Sequence, residues 1–260
     1  MVSTIQNTDV KQKDADRAVV VAVTSRAVFE SGAHDGDDVY GAGVAFPLLS
    51  TRHYGNLTFT IISSTRHYGN LTFTIISSTR HYGNLTFTII SSTRHYGLEV
   101  SRFCFSSEED FIESLLKNNV QLFLSTDRNE APRASQKGVL SALLDQQVAP
   151  SEQLRVMFCG DAVIRPDTDP MPASRLAAQN FSAQLGKMRQ RFSMLDSPLS
   201  IVLVTSHGGR ESCGGALRTL RSRGLSVDEA YCLAGAPRSP ILSVLRTHFL
   251  LSDGFCSLEE

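Results

Sequence analysis

Residues 153–163 read QLRVMFCGDAV. The segment 154–158 is a short apolar run, the pattern of a strand buried on both faces of a parallel sheet. It stops on Cys159, Gly160 and Asp161, a thiol, a glycine and a carboxylate in succession. Open α/β sheets place ligand chemistry at such carboxyl ends. Similar apolar runs occur at 19–23 (VVVAV), 120–124, 201–204 and 249–251, and helix-periodic stretches at 111–118, 174–192, 210–223 and 240–246 alternate with them. In the second of these helices Leu176, Phe181, Leu185, Met188 and Phe192 recur as one apolar stripe. Strands alternating with helices predict a doubly wound, mostly parallel, Rossmann-like α/β sheet. The Pro-rich stretch 165–172 (RPDTDPMP) breaks structure and is expected to lie over the carboxyl edge.

At 260 residues the chain can seal one large hydrophobic core. The expected organisation is a disordered tail over 1–17 and a single α/β domain over 18–260. Basic and acidic residues number 25 and 26, so the chain carries no general attraction for nucleic acid or an anionic membrane. Any phosphate binding is therefore local. The five cysteines Cys104, Cys159, Cys213, Cys232 and Cys256 form no CxxC pair, and their odd number argues for reduced thiols, not a disulfide framework. The N-terminal stretch has no apolar h-region, and no run approaches the roughly 18 apolar residues of a membrane span. A soluble, cytoplasmic protein is expected, in which the NLT sequons at Asn56, Asn70 and Asn84 are incidental.

The middle of the chain is a repeat. Residues 50–91 are three identical copies of STRHYGNLTFTIIS, a period of 14, and STRHYG follows once more at 92–97. Leu57, Phe59 and Ile61 alternate with Thr58, Thr60 and Ile62, which is strand patterning, and RHYGN supplies a turn. Taken by itself this is a stack of strand–turn units. Natural solenoids diverge between repeats because each unit meets different surroundings. Perfect identity therefore points to a tandem duplication, or an error in the gene model, over a domain that needs one copy. Extra identical strands with free edges also invite mispairing.

Four segments fall at the carboxyl ends of expected strands: FCGDAV at 158–163, LVTS at 203–206, AGAPR at 234–238 and LLSDG at 250–254. Their order and spacing resemble the haloacid-dehalogenase-like phosphohydrolases. The closer resemblance is to the cytosolic 5′-nucleotidase type 1 family, through QLRVMFCGDAV, IVLVTSHGG, ALRTLRSRGLSVDEAYCLAGAPRSPIL, VVVAVTSRAVF, HYGLEVSRFC and QLFLSTD. That resemblance implies Mg²⁺-assisted hydrolysis of nucleoside 5′-monophosphates such as AMP through an aspartyl-phosphate, by proteins that assemble as homo-oligomers. The chemistry uses one carboxylate as nucleophile and metal ligand, a second as general acid/base, a hydroxyl and a cation on the phosphoryl oxygens, and an Asp pair at the metal.

Carried over position by position, Asp161 matches the acid/base and a metal ligand, and Thr205 with Ser206 matches the phosphoryl-binding motif. Cys159 stands at the nucleophile position, where the family has Asp. Arg238 stands at the Lys position, and a planar fork is not equivalent to an ammonium there. Ser252 and Asp253 stand for the paired aspartates, leaving Asp161 and Asp253 as the metal ligands of a weakened site. Mg²⁺ prefers oxygen to sulfur, so metal affinity is expected to fall. ISSTRHYG also occupies the place of the family's Asn-containing turn.

For Asp161, a capping or solvated carboxylate and a retained catalytic role both remain open. Thr205 and Ser206 suit either anion binding or N-capping at the helix that follows them. Cys159 and Arg165 have the C-x5-R spacing of thiol phosphatases, but a chain this rich in arginine produces such spacings by chance, and GDAVI lacks a glycine-rich cradle. A small half-buried residue closing a strand is the simpler account of Cys159. His207 reads as solvated loop, and the other cysteines as core or surface filler. The functional readings are an impaired 5′-nucleotidase, an inactive relative that binds a nucleotide, phosphate or an active paralogue, and, remotely, a thiol phosphatase.

Overall fold

A computed structural model describes residues 3–8, 19–30, 39–50, 57–65, 88–107, 110–144, 154–163, 173–190, 197, 199–206, 210–245 and 249–251. Strand β1 is Ser3–Gln6, β2 Val19–Thr24, β3 Phe29–Glu30, β4 Gly41–Ala42, β5 Leu57–Thr65 and β6 Val100–Ser107. They are followed by β7 Leu122–Ser125, β8 Ser141–Leu143, β9 Leu154–Cys159, β10 Leu199–Thr205, β11 Glu229–Cys232 and β12 Phe249–Leu251. The helices are α1 Ser25–Val28, α2 Phe46–Ser50, α3 at 88–95, α4 Phe111–Lys117, α5 Glu130–Gln136, α6 Gly160–Val163, α7 Ala173–Arg189, α8 Arg210–Ser222 and α9 Ser239–Leu245.

Where one sheet is expected, the described strands pair as two main sheets and a short β3–β4 ribbon. The larger runs β1-β6-β5-β2-β7-β8 and the smaller β11-β10-β9-β12. Strands from β6 to β8 are parallel, as are all four of the smaller sheet. The ladder breaks between β8 and β12, whose edges still touch. Both are three-residue strands, short enough to pair on one side only.

β2 is buried along its whole length between β5 and β7, which is why VVVAV is continuously apolar. One contiguous core gathers Val21, Val23, Leu122 and Leu124 with Val156, Phe158, Ile201 and Leu203, and α7 adds Phe181, Leu185 and Met188. Each such side chain contributes about 1.5–3 kcal/mol by leaving water. Leu176 does not join the stripe expected of α7; it is exposed, and its neighbour Arg175 is buried instead. At the other end of α7, Arg189 makes a bidentate ion pair with Asp228, whose Oδ2 also accepts the Ile201 amide at 2.7 Å. This pins α7 to the start of β10.

Two expectations fail outright. The tail is not wholly disordered, because β1 adds antiparallel to the free edge of β6, and Asn7 Nδ2 donates to the Val100 carbonyl at 2.9 Å. Among the described residues, the repeat does not form equivalent strands either. Its first copy forms β5, whereas the equivalent residues of its third copy form α3, running into the fourth copy. The rest of the second copy, residues 66–77, and the three sequon asparagines Asn56, Asn70 and Asn84 lie outside the described residues.

Candidate functional site

The smaller sheet brings its carboxyl ends to one level: Cys159 lies beside Val204, Thr205 beside Cys232, and Leu251 beside Phe158. The segments around Cys159 and Thr205 thus meet on adjacent strands, as their positions in the sequence imply. Cys159 is 6% exposed, a buried thiol closing β9. α6 begins at once, at Gly160. A Cβ there would collide with Thr205 Cγ2 and crowd Leu203 Cδ1 at 3.2 Å and Ala216 Cβ at 3.3 Å. Only glycine allows this turn to lie against β10 and α8, so the FCGDAV turn and Thr205 are held together by a steric requirement.

Thr205 is fully buried, and its Oγ1 has no hydrogen-bond partner among the described residues. A buried, unpaired hydroxyl costs about 1–3 kcal/mol, which a ligand oxygen would recover. Next to it, Ser206 Oγ accepts two bonds from the Arg238 guanidinium, from Nε at 2.7 Å and from Nη2. The 233–238 turn is bound to β10 through its backbone. Leu233 N donates to the Thr205 carbonyl and Gly235 N to the Ser206 carbonyl, each at 2.9 Å. Ala234 and Gly235 both take left-handed φ, 53° and 87°, which reverses the chain and returns Arg238 to Ser206. The Arg238 carbonyl then accepts the first amides of α9, from Ile241 and Leu242.

Thr205, Ser206 and Arg238 therefore form one corner, with Cys159 on the neighbouring strand. Asp161 lies in α6, two residues beyond Cys159, but its side chain is outside the described set. Arg165, His207, Ser252 and Asp253 are also outside it, the last two directly following β12. Among the described residues no three His, Cys, Asp or Glu side chains cluster as metal ligands. Burial, and then the influence of Cys232, pushes the Cys213 thiol up to about 11, a coupling for which the sequence carries no spacing signature. No helix of the described residues is long and apolar enough to cross a membrane.

A parallel α/β sheet with a hydroxyl-and-guanidinium corner at its carboxyl edge presents polar groups where open α/β sheets bind their ligands. The chain belongs to the 5′-nucleotidase family, whose sequence model matches residues 32–175 and 167–260. It is also similar to human (Homo sapiens) cytosolic 5′-nucleotidase 1B, at 32% identity over 190 residues, covering 62% of this chain and 31% of that protein. The chain thus spans about a third of the relative's length. Together these matches place it among the cytosolic 5′-nucleotidases.

Proposed function

We propose that this chain is a cytoplasmic 5′-nucleotidase-like protein that binds the phosphate of nucleoside 5′-monophosphates at the Thr205–Ser206–Arg238 corner and hydrolyses it poorly. The observation that carries the reading is the buried, unpartnered Thr205 Oγ1, one residue before the Ser206 on which the Arg238 guanidinium is held. The hydroxyl can donate to a phosphoryl oxygen, and Arg238 supplies the cationic partner. We infer that residues 18–260 act as one doubly wound, haloacid-dehalogenase-like unit. Apolar clusters on the opposite faces of the two sheets support this, one with α4 and one with α9.

Poor hydrolysis follows from the end of β9. Cys159 offers sulfur where the family's chemistry needs a carboxylate as both nucleophile and metal ligand. With Ser252 neutral as well, the anionic oxygens available to Mg²⁺ reduce to Asp161 and Asp253. A hard cation that demands oxygen ligands does not fit that donor set. Phosphate held without an activated nucleophile is bound rather than turned over.

The test is phosphate release from AMP and other monophosphates with Mg²⁺, alongside calorimetric binding. Release near background is expected, with Thr205→Val weakening AMP binding roughly tenfold. The triple change Cys159→Asp, Arg238→Lys, Ser252→Asp is expected to raise release at least about a hundredfold. Turnover at ordinary phosphatase rates, abolished by Cys159→Ser, would overturn this reading in favour of a thiol mechanism.

A further inference from the structure

We propose that the carboxyl edge of the larger sheet holds a second ligand site, at Thr24 and Ser125, which takes the vicinal diol of a furanose sugar. From β2 the chain winds through β5 to β6 on one side, then returns to β7 and β8 on the other, all in parallel. The winding therefore reverses between β2 and β7, and open α/β sheets bind ligands in the crevice that such a reversal opens. The smaller sheet reverses separately, between β9 and β12. Val23 pairs with Leu124, so Thr24 and Ser125, the next residues, close the two strands side by side. Both continue the face that carries Ala22 and Phe123, because side chains alternate along a strand.

Thr24 is 5% exposed, and its Oγ1 has no hydrogen-bond partner among the described residues. It precedes α1 without capping it. Ser125 is fully buried and committed: its hydroxyl donates to Glu130 Oε2 at 2.6 Å and accepts the Asp127 amide at 3.0 Å. Asp127 Oδ1 in turn accepts the Asn129 amide at 2.8 Å, which fixes the turn between β7 and α5. The end of β7 thus carries two half-buried carboxylates, Glu130 bonded to Ser125 and Asp127 in the turn, while the end of β2 offers the Thr24 hydroxyl. That set opposes a phosphate, whose charge would meet two carboxylates with one neutral donor to hold it. A neutral diol reverses the balance. Thr24 donates to one ring hydroxyl, and the neighbouring hydroxyl donates to the Glu130 carboxylate, as acidic side chains do for ribose at such crevices. The site lies on a different sheet from Thr205 and stands whether or not that corner binds phosphate.

The full chain is tested by hydrogen exchange read by mass spectrometry, with adenosine, 2′,3′-dideoxyadenosine, D-ribose and inorganic phosphate as separate probes. Adenosine is expected to slow exchange at least about threefold in peptides covering 19–28 and 122–130. Dideoxyadenosine and phosphate are expected to leave those peptides unchanged. Equal protection by ribose identifies a free pentose as the ligand, and protection by adenosine alone identifies a nucleoside. Thr24→Val keeps the side-chain shape and is expected to weaken adenosine binding roughly tenfold by calorimetry. Ser106 Oγ is likewise buried without a partner, but two strands away on β6, so Ser106→Ala is expected to leave binding unchanged. No protection by adenosine or ribose, equal protection by phosphate or dideoxyadenosine, or wild-type affinity in Thr24→Val overturns the proposal.

Discussion

The hexapeptide TIISST occurs at 60–65, 74–79 and 88–93, identical in every residue, yet the first is the end of strand β5 and the last lies in helix α3. In β5 its backbone pairs with β6 along its whole length and with β2 over residues 60–62. In α3 the same residues meet a different boundary. Every full copy continues as RHYGN, but after Thr93 the chain reads RHYGL. Gly97 takes φ 62°, its amide bonds the Arg94 carbonyl and Leu98 bonds the Thr93 carbonyl, which is a Schellman helix end with Leu98 buried. Residues outside the repeat complete the site. Ser92 Oγ accepts the Tyr40 amide at 2.9 Å, and Tyr96 OH donates to the Tyr40 carbonyl at 3.0 Å. Local propensity is the same in both copies, so the flanking contacts decide.

The sharpest way to break this comparison is a substitution at each of two equivalent positions. Thr60→Pro removes an amide from a strand flanked on both sides and is expected to cost more than about 3 kcal/mol. At the equivalent position on α3, Thr88→Ala installs a better helix former and is expected to stay within about 1 kcal/mol. Urea melts of the two variants read the difference, and equal losses would remove the assignment of strand to one copy and helix to the other. Leu98→Asn makes the fourth junction match the other three and buries an amide at a core position. It is expected to cost about 2–3 kcal/mol, with a loss of helical circular dichroism. Ser92→Ala deprives the Tyr40 amide of its acceptor, at about 1–2 kcal/mol, seen as faster hydrogen exchange at that amide. Gly97→Ala forces a Cβ into left-handed φ at about 1 kcal/mol, the smallest of the four effects, measured by the thermal midpoint.

The elements legible in the sequence are those whose burial is complete. VVVAV, LRVMF and IVLV became β2, β9 and β10, each buried on both faces save for the half-buried Arg155, and no surface alternation blurs the run. The edges were harder. β11 alternates half-buried with exposed residues, and β1 exists only because β6 offers it an unpaired edge. Strand ends pointed to the place where Ser206 and Arg238 meet, although 32 residues separate them. The influence of Cys232 on the Cys213 thiol was not legible, since one lies on a helix and the other at a strand end.

The sequence by itself determined the alternation of strands and helices and the family. Those properties reside in single residues and short apolar runs, which read the same in any context. Only the tertiary structure decided which copy of the repeat became β5 and which became α3, and how the sheet divided in two. Identical residues cannot distinguish themselves; the hydrogen-bonding edges of β2 and β6, and the buried Leu98 after Gly97, made that distinction for them.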